Sequence, residues 1–322
     1  MKYLVTGGAG FIGSNFINSI LTQSDLGVSG ISVLDKLTYA GSLENIEEGI
    51  RAEIEFFRGD ICDESVVAKA MQGVDIVVNF AAESHVDRSI ESGRTFASSN
   101  FLGTQVLLEL ALKLGVDKFL QVSTDEVYGS VDEGTSNEND VLLPNSPYAA
   151  TKAAADLLVR SYVETYSMDI RVTRCVNNYG PNQHPEKFLP MAITNTIEGK
   201  KIPVYGQGIN IREWISVRDH CLAIESVLSK GKAGEIYNIG TGERISNLSL
   251  AKKILEIMQV SESNIEFIQD RKGHDLRYAV SSEKIKDELG FRVLTSLDAG
   301  LVDLIQWYKS NMAWWKLRKY AK

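Results

Sequence analysis

Two adjacent acids behind a Ser-Thr pair, and a tyrosine–lysine pair further on, are the residues of this chain best placed to do chemistry. The first group is Ser123-Thr124-Asp125-Glu126-Val127-Tyr128-Gly129, and the second is Tyr148 with Lys152. Tyr148 and Lys152 are spaced to share one face of a helix. A free phenol titrates near pH ~10, and a neighbouring ammonium favours its ionised form. The pair is therefore a candidate base for oxidising an alcohol. Thr124 adds a hydroxyl donor. Asp125 and Glu126 add two close carboxyls, which can titrate apart so that one is protonated while the other is ionised. An acid beside a base suits an elimination. The candidate catalytic set is Thr124, Asp125, Glu126, Tyr148 and Lys152.

The elements that must position this set alternate between two periodicities. Strands read at 3–5, 31–35, 54–57, 75–80, 118–122 and 170–174, and helices at 11–22, 63–71, 93–114 and 146–166. Ser146 is a natural N-cap and Pro147 a natural first residue for the last of these helices. The strand at 75–80 is apolar enough to be buried on both faces. This is the βαβ rhythm of a parallel, doubly wound sheet. It loosens after Val176. Helices read at 190–198, 216–228, 248–258 and 297–308, and a strand at 236–239. Residues 203–212 look Gly-rich and irregular.

Gly7-Gly8-Ala9-Gly10-Phe11-Ile12-Gly13 follows the first strand and opens the first helix. In that context it is a dinucleotide fingerprint. Gly7 allows the tight turn, Gly10 the approach of a pyrophosphate to backbone N–H groups, and Gly13 close packing of helix on sheet. Asp35 ends the second strand, where a carboxylate accepts from the adenosine ribose hydroxyls and repels a 2′-phosphate. The expected cofactor is therefore NAD, although Lys36 beside Asp35 weakens the repulsion. Asp60 and Ile61 end the third strand and flank the adenine. Ala81 and Ala82 end the fourth, where small residues let a cofactor lie against backbone. The expected fold is α/β, a Rossmann-type doubly wound parallel sheet with a smaller mixed α/β substrate-binding domain. Residues 1–176 form the NAD-binding domain, which also receives parts of 211–240, and residues 177–322 are mainly the substrate-binding domain.

Composition excludes several other classes. The chain has 322 residues, enough for two domains, and a net charge of −8 with no basic cluster of the kind a nucleic-acid binder carries. The locally basic stretch 316–322 reads as a solvated tail. Cys62, Cys175 and Cys221 have no metal or redox spacing and read as free thiols in a reducing compartment. His85, His184, His220 and His274 form no ligand pattern, so no protein-held metal is expected. A first strand starting at Lys2 leaves no signal peptide, and no apolar run approaches a membrane span. The expected location is cytoplasmic.

With these motifs in place, the chain resembles the dTDP-glucose 4,6-dehydratases of the extended short-chain dehydrogenase/reductase superfamily. The resemblance covers nearly the whole length. It rests on Ser-Thr-Asp-Glu-Val-Tyr-Gly at 123–129, Ala82-Glu83-Ser84-His85-Val86-Asp87-Arg88-Ser89, Asn177-Asn178-Tyr179-Gly180-Pro181, Pro185-Glu186-Lys187 and Asp270-Arg271-Lys272-Gly273-His274-Asp275. It implies that Tyr148 takes the proton of a sugar C4 hydroxyl held by Thr124, as hydride passes to NAD. It further implies that Glu126 removes the C5 proton, made acidic by the new ketone, and that Asp125 protonates the departing C6 hydroxyl. Hydride then returns to C6. The implied product is dTDP-4-keto-6-deoxyglucose, a precursor of deoxysugars such as rhamnose.

The resemblance also extends both binding sets. It adds Phe11, Ile12, Lys36, Thr38, Ser99 and Asn178 to the cofactor site, together with Tyr148 and Lys152. It implies a substrate site of Ser84, Thr124, Asn177, Lys187, Phe188, Leu189, Pro203, Tyr205, Arg212, Asn247, Arg271, His274 and Tyr278. Arg212 and Arg271 match diphosphate-binding arginines, a role suited to the guanidinium fork. The chain departs from the commoner family pattern at Leu276, Glu213 and His184, where arginine, aspartate and an aromatic are usual.

The alternative enzyme readings are a UDP-sugar 4,6-dehydratase and a nucleotide-sugar 4-epimerase, the second disfavoured by Asp125-Glu126. A non-catalytic NAD-binding regulator is the alternative of another class. Such a protein would have little reason to keep the five catalytic residues together. The helix read at 93–114 carries Phe96, Phe101, Leu102, Val106, Leu107, Leu108, Leu110, Leu112 and Leu114, a wider apolar face than one sheet-facing stripe requires. Paired with the helix after Pro147 across a twofold axis, it predicts a homodimer.

Overall fold

The computed structural model describes residues 1–24 and 26–320. The first half runs β1 (Lys2–Thr6), α1 (Phe11–Thr22), β2 (Gly30–Asp35), α2 (Glu48–Arg51), β3 (Ile54–Arg58), α3 (Glu64–Ala70), β4 (Ile76–Asn79), α4 (Val86–Glu91), α5 (Gly93–Phe96), α6 (Gly103–Leu114), β5 (Lys118–Thr124), α7 (Pro147–Tyr166) and β6 (Ile170–Cys175). The second half runs β7 (Asn177–Tyr179), α8 (Phe188–Ile197), β8 (Ile202–Tyr205), β9 (Ile211–Ser216), α9 (Val217–Lys230), β10 (Ile236–Ile239), β11 (Arg244–Ser246), α10 (Asn247–Met258), β12 (Ile265–Ile268), α11 (Glu283–Leu289), α12 (Leu297–Ser310) and α13 (Met312–Lys319).

The main sheet has seven parallel strands in the order β10-β6-β5-β4-β1-β2-β3. The chain leaves β1 towards β2 on one side and returns through β4 on the other. The crevice at the carboxyl end of β1 is therefore the switch point where such sheets bind ligands. Registers of Thr6 with Leu34 and Asn79, and of Thr124 with Cys175, bring the carboxyl ends of β1, β2, β4, β5 and β6 to one edge. Two apolar cores sandwich this sheet. One gathers Phe16, Ile17 and Ile20 of α1 with Cys221, Ile224 and Val227 of α9. The other gathers Leu107, Leu108 and Ala111 of α6 with Val159 and Tyr162 of α7. A third core, including Leu189, Ile193, Trp214, Leu250, Ile254, Leu301 and Trp315, lies within the last 150 residues or so. It is lined by a three-stranded sheet, β11-β9-β7, and a two-stranded one, β12-β8. β10 crosses back to become the edge strand of the main sheet beside β6.

Three readings are corrected. Residues 93–114 are not one uniform helix: a π-helical segment, Ala97–Leu102, interrupts it. The wider turn aims Asn100 inwards, where its amide accepts from Glu83 N and donates to Glu83 O and Thr151 Oγ1. Residues 203–212 are irregular only over 206–210, the turn that holds Gly206 and Gly208. The others belong to β8 and the start of β9, whose partners lie far along the chain and whose Pro203 weakens the local strand signal. The basic stretch from Lys316 is not a loose tail up to Tyr320. It continues α13, with Trp315 fully buried and Lys319 Nζ donating to Thr194, Asn195 and Glu198. Ala321 and Lys322 of that stretch lie outside the described residues. Among the described residues no helix is long and apolar enough to cross a membrane.

Candidate active site

The cleft at the switch point is lined by Gly7, Gly10, Phe11, Ile12 and Gly13, by Asp35, Lys36 and Thr38, and by Asp60, Ile61, Ala81, Ala82 and Ser99. Tyr148 and Lys152 close its inner end. Gly7 is left-handed (φ 66°), and a Cβ there would stand 2.7 Å from the Ala81 nitrogen. A Cβ at Gly13 would stand 2.4 Å from the Gly7 carbonyl oxygen. Helix α1 starts at Gly10 with no side-chain cap, leaving its first N–H groups and its dipole to an anion. Asp35 accepts from Ala9 N at 2.9 Å and Leu37 N at 2.7 Å. Burial pushes its carboxyl up, and these two bonds pull it back down. Lys36 donates to Asp60 at 2.6 Å, so its charge is turned away from Asp35 and balanced. A cradle for pyrophosphate followed by a strand-end carboxylate fits NAD, whose ribose keeps a free 2′-hydroxyl.

A second cavity adjoins the first and shares Ser84, Val122, Ser123, Tyr148 and Lys187 with it. Thr124, Asp125 and Glu126 line it at the end of β5. The Thr124 side chain caps the short 3-10 turn Asp125–Tyr128 by accepting from Glu126 N at 3.3 Å. Gly129 ends that turn at φ 76°, and a Cβ there would meet the Leu143 carbonyl oxygen at 2.1 Å. On α7, the Ser146 hydroxyl caps the helix through Ala149 N, which sets Tyr148 and Lys152 one turn apart beneath the acids.

The electrostatics divide the two acids. Burial pushes the Asp125 carboxyl well above the usual range, and Glu126 and Glu213 add to it. Its Oδ2 is buried without a partner. Burial also raises Glu126, but Arg212, Lys187 and Arg271 oppose. Asp125 is thus the more readily protonated of the two and Glu126 the more readily ionised. Lys152, expected to lower the Tyr148 phenol, is not among the leading influences on it. Burial raises the phenol, Glu126 raises it further, and hydrogen bonding with Thr124 is what opposes. Lys152 donates to the Val122 carbonyl at 2.7 Å instead. Burial lowers its own pKa to about 8, with Asp156 opposing.

The second cavity also collects Ser84, Asn177, Lys187, Phe188, Pro203, Tyr205, Arg212, Asn247, Arg271, His274 and Tyr278. Leu189 is the exception: it is fully buried in the third core and does not reach the cavity. Asn178, expected at the cofactor, lies in this cavity, where its amide accepts from His220 and donates to Val176 O. The Asn177 side-chain oxygen is buried without a partner, as a ligand contact requires. Arg212 sits 4.2 Å above the Tyr278 ring and bonds only backbone carbonyls. Its charge is therefore available to an anion. Arg271, by contrast, is held by Asp87 through two bonds of 2.6 and 2.9 Å.

Several site residues escaped the sequence reading. Arg88 stacks over Tyr39 at 3.7 Å and bonds Glu186 at 2.8 Å, two residues that line the cofactor cleft. His184 packs edge-on against Tyr39 at 5.2 Å. Burial lowers its pKa to about 4, so this neutral ring does the work of the aromatic usual there. Asp87, Arg88 and Glu186 all fall within the quoted motifs, which was the available signal. Tyr39 and His220 carried none.

A sequence model of the GDP-mannose 4,6 dehydratase family matches residues 4–304. The dTDP-glucose 4,6-dehydratase of Streptomyces antibioticus is 49% identical over 319 residues, covering 98% of this chain and 95% of that one. The low-salt glycan biosynthesis protein Agl12 of Haloferax volcanii is 50% identical over 309 residues, 96% of this chain and 98% of its own. The crystal structure of DesIV, a dTDP-glucose 4,6-dehydratase of Streptomyces venezuelae with NAD and dTDP bound, superposes with a TM-score of 0.97 at 48% identity. It covers 99% of this chain and 100% of that one.

Proposed function

Because the chain belongs to the nucleotide-sugar 4,6-dehydratase family, we propose that it converts dTDP-glucose to dTDP-4-keto-6-deoxyglucose and water, using NAD. The observation that carries this reading is the meeting of Tyr148 with the acids Asp125 and Glu126 in one cavity, with Lys152 lining the adjoining cofactor cleft. An epimerase has no use for the two acids. The cleft lined by Gly7, Gly10, Gly13 and Asp35 would hold NAD, which would supply the hydride chemistry, an acceptor for the C4 hydride and its donor back to C6. The chain's own residues do the rest. Thr124 holds the C4 oxygen, and Tyr148 takes its proton. Lys152, largely protonated at neutral pH, favours the phenolate form of Tyr148 that accepts this proton. Ionised Glu126 removes the C5 proton, which the C4 ketone acidifies, and gives a proton back to C5 when hydride reaches C6. Protonated Asp125 gives its proton to the leaving C6 hydroxyl. Arg212, without a carboxylate partner among the described residues, is a cation for the diphosphate. Division into an NAD-binding unit over 1–176 with β10 and α9, and a substrate-binding unit over most of 177–322, supports closure of the site around the sugar. The test is incubation with dTDP-glucose and, in parallel, UDP-glucose, followed by the alkaline absorbance of a 4-keto sugar. Product from dTDP-glucose is expected. Product from UDP-glucose alone would overturn the base assignment.

The protein acts as a homodimer in this proposal. Leu102, Leu112 and Leu114 are 40–50% exposed at and after the π segment, and Leu157 and Tyr166 are 57% and 52% exposed on α7. These lie on the paired helices and support a twofold four-helix contact. Three free cysteines suit a reducing cytoplasm.

A further inference from the structure

Behind the catalytic residues lies a buried ion pair with no place in the chemistry just described. Arg174 of β6 and Asp156 of α7 are 3% and 4% exposed, and Arg174 Nε donates to Asp156 Oδ2 at 2.9 Å. The same guanidinium donates through Nη1 to the Tyr128 hydroxyl at 2.8 Å. Tyr128 in turn donates to Asn238 of β10 at 2.8 Å. Tyr128 is the last residue of the turn that carries Asp125 and Glu126. Asp156 lies one helical turn beyond Lys152. A single side chain thus joins the turn bearing the elimination acids to the helix bearing Tyr148 and Lys152.

We propose that Arg174 is a positioning residue, which fixes the elimination acids relative to the oxidation pair and keeps Asp156 from capturing Lys152. The inference rests on the dehydratase reading above. Two physical points support it. A buried ion pair contributes little stability over a well-packed apolar pair, because of its desolvation cost. The fold alone gives no reason to keep this one. Moreover, Lys152 and Asp156 have the spacing at which lysine and aspartate pair on a helix, yet Lys152 bonds the Val122 carbonyl. Arg174 holds Oδ2 of the carboxylate that would otherwise draw the ammonium out of the site and balances its charge, although Oδ1 has no partner. The backbone bond from Leu143 N to Val127 O is a second tether of the turn, so losing the Tyr128 hydroxyl loosens the turn without releasing it.

The test separates the two halves of the reaction. NAD-loaded protein is mixed with dTDP-glucose in deuterated water, and C4 oxidation is followed by the absorbance of reduced nicotinamide and C5 labelling by mass spectrometry. Tyr128→Phe keeps the ion pair and should retain C4 oxidation while slowing C5 labelling by on the order of ten- to a hundredfold, the scale of an ångström's misplacement. Arg174→Met combined with Asp156→Leu removes both buried charges and should behave the same way. Arg174→Met alone should lose oxidation as well, because unpaired Asp156 then competes for Lys152. Wild-type C5 labelling in Tyr128→Phe and in the double variant would overturn the proposal, as would a parallel loss of both steps in both. If the wild type leaves dTDP-glucose unchanged, it is the substrate assignment that fails. Amide hydrogen exchange on NAD-loaded protein without sugar then decides. Faster exchange at 123–129, with 147–153 unchanged, is expected in Tyr128→Phe and in the double variant, and wild-type protection at 123–129 would overturn the proposal.

Discussion

Replacing Lys152 with methionine should make the cofactor-free protein more stable at neutral pH while destroying its activity. Lys152 is 4% exposed, and burial brings its pKa from 10.5 to about 8. At about 1.4 kcal/mol per unit, keeping that ammonium charged in the folded state costs on the order of 3 kcal/mol. Its one hydrogen bond, to Val122 O, returns roughly 1 kcal/mol. Methionine fills similar volume without the charge, so a net gain of about 2 kcal/mol, a few degrees of Tm, is expected. The sign follows from proton binding. Below pH 8 both folded and unfolded chains are protonated at this lysine and the penalty is complete. Between 8 and 10.5 the unfolded chain holds the extra proton, so wild-type stability rises with pH through that window. Above it the penalty is gone, and the advantage of the variant closes. The assay is thermal unfolding of both proteins, stripped of NAD, from pH 6.5 to 10.5. A variant no more stable than wild type at pH 7, or a gap that does not narrow above pH 8, would refute the reasoning.

Other substitutions test other parts of the site. Tyr148→Phe should lower turnover by a hundredfold or more, roughly the loss of a general base, while circular dichroism and NAD binding stay unchanged. Arg212→Met should raise KM for dTDP-glucose in steady-state kinetics, because its charge is available to the diphosphate, and should also lower kcat, because Arg212 is the first of the groups that oppose the raised Glu126 carboxyl. Leu157→Asp should convert a dimer to a monomer by light scattering at micromolar concentration. A monomeric wild type would count against the proposed interface.

The half of the fold that makes the cleft was legible because its signals are local. The start of α1 at Phe11, the cap at Ser146 and the limits of β10 each follow from a few neighbouring residues. The second half was less legible because its short strands pair with distant partners: β8 with β12, and β9 with both β7 and β11. Nothing within β7, three polar and aromatic residues long, announces a strand. The tail misled because its basic residues dominate a window in which Trp315 decides the packing. In the site, the residue types and spacing of Thr124, Asp125, Glu126, Tyr148 and Lys152 were enough to gather them. What spacing could not give was the electrostatic balance. The raised phenol of Tyr148 comes from burial and from Glu126, a neighbour across the turn and not along the helix. The misassigned Leu189 has a similar cause, since of two adjacent residues at the start of α8 Phe188 reaches both the cavity and the edge of the third core while Leu189 lies wholly in that core.

The division of labour between the two acids is the centre of the account, and turnover of Glu126→Gln in deuterated water tests it most directly. Tyr148, Thr124 and Lys152 remain in that variant, so reduced nicotinamide should still form on mixing with dTDP-glucose. No base then faces C5, so labelling at that carbon and release of the 4-keto-6-deoxy product should both be lost. Asp125→Asn, in the same experiment, should slow loss of water more than it slows C5 labelling. Product carrying solvent deuterium at C5, formed by Glu126→Gln at the wild-type rate, would contradict the assignment.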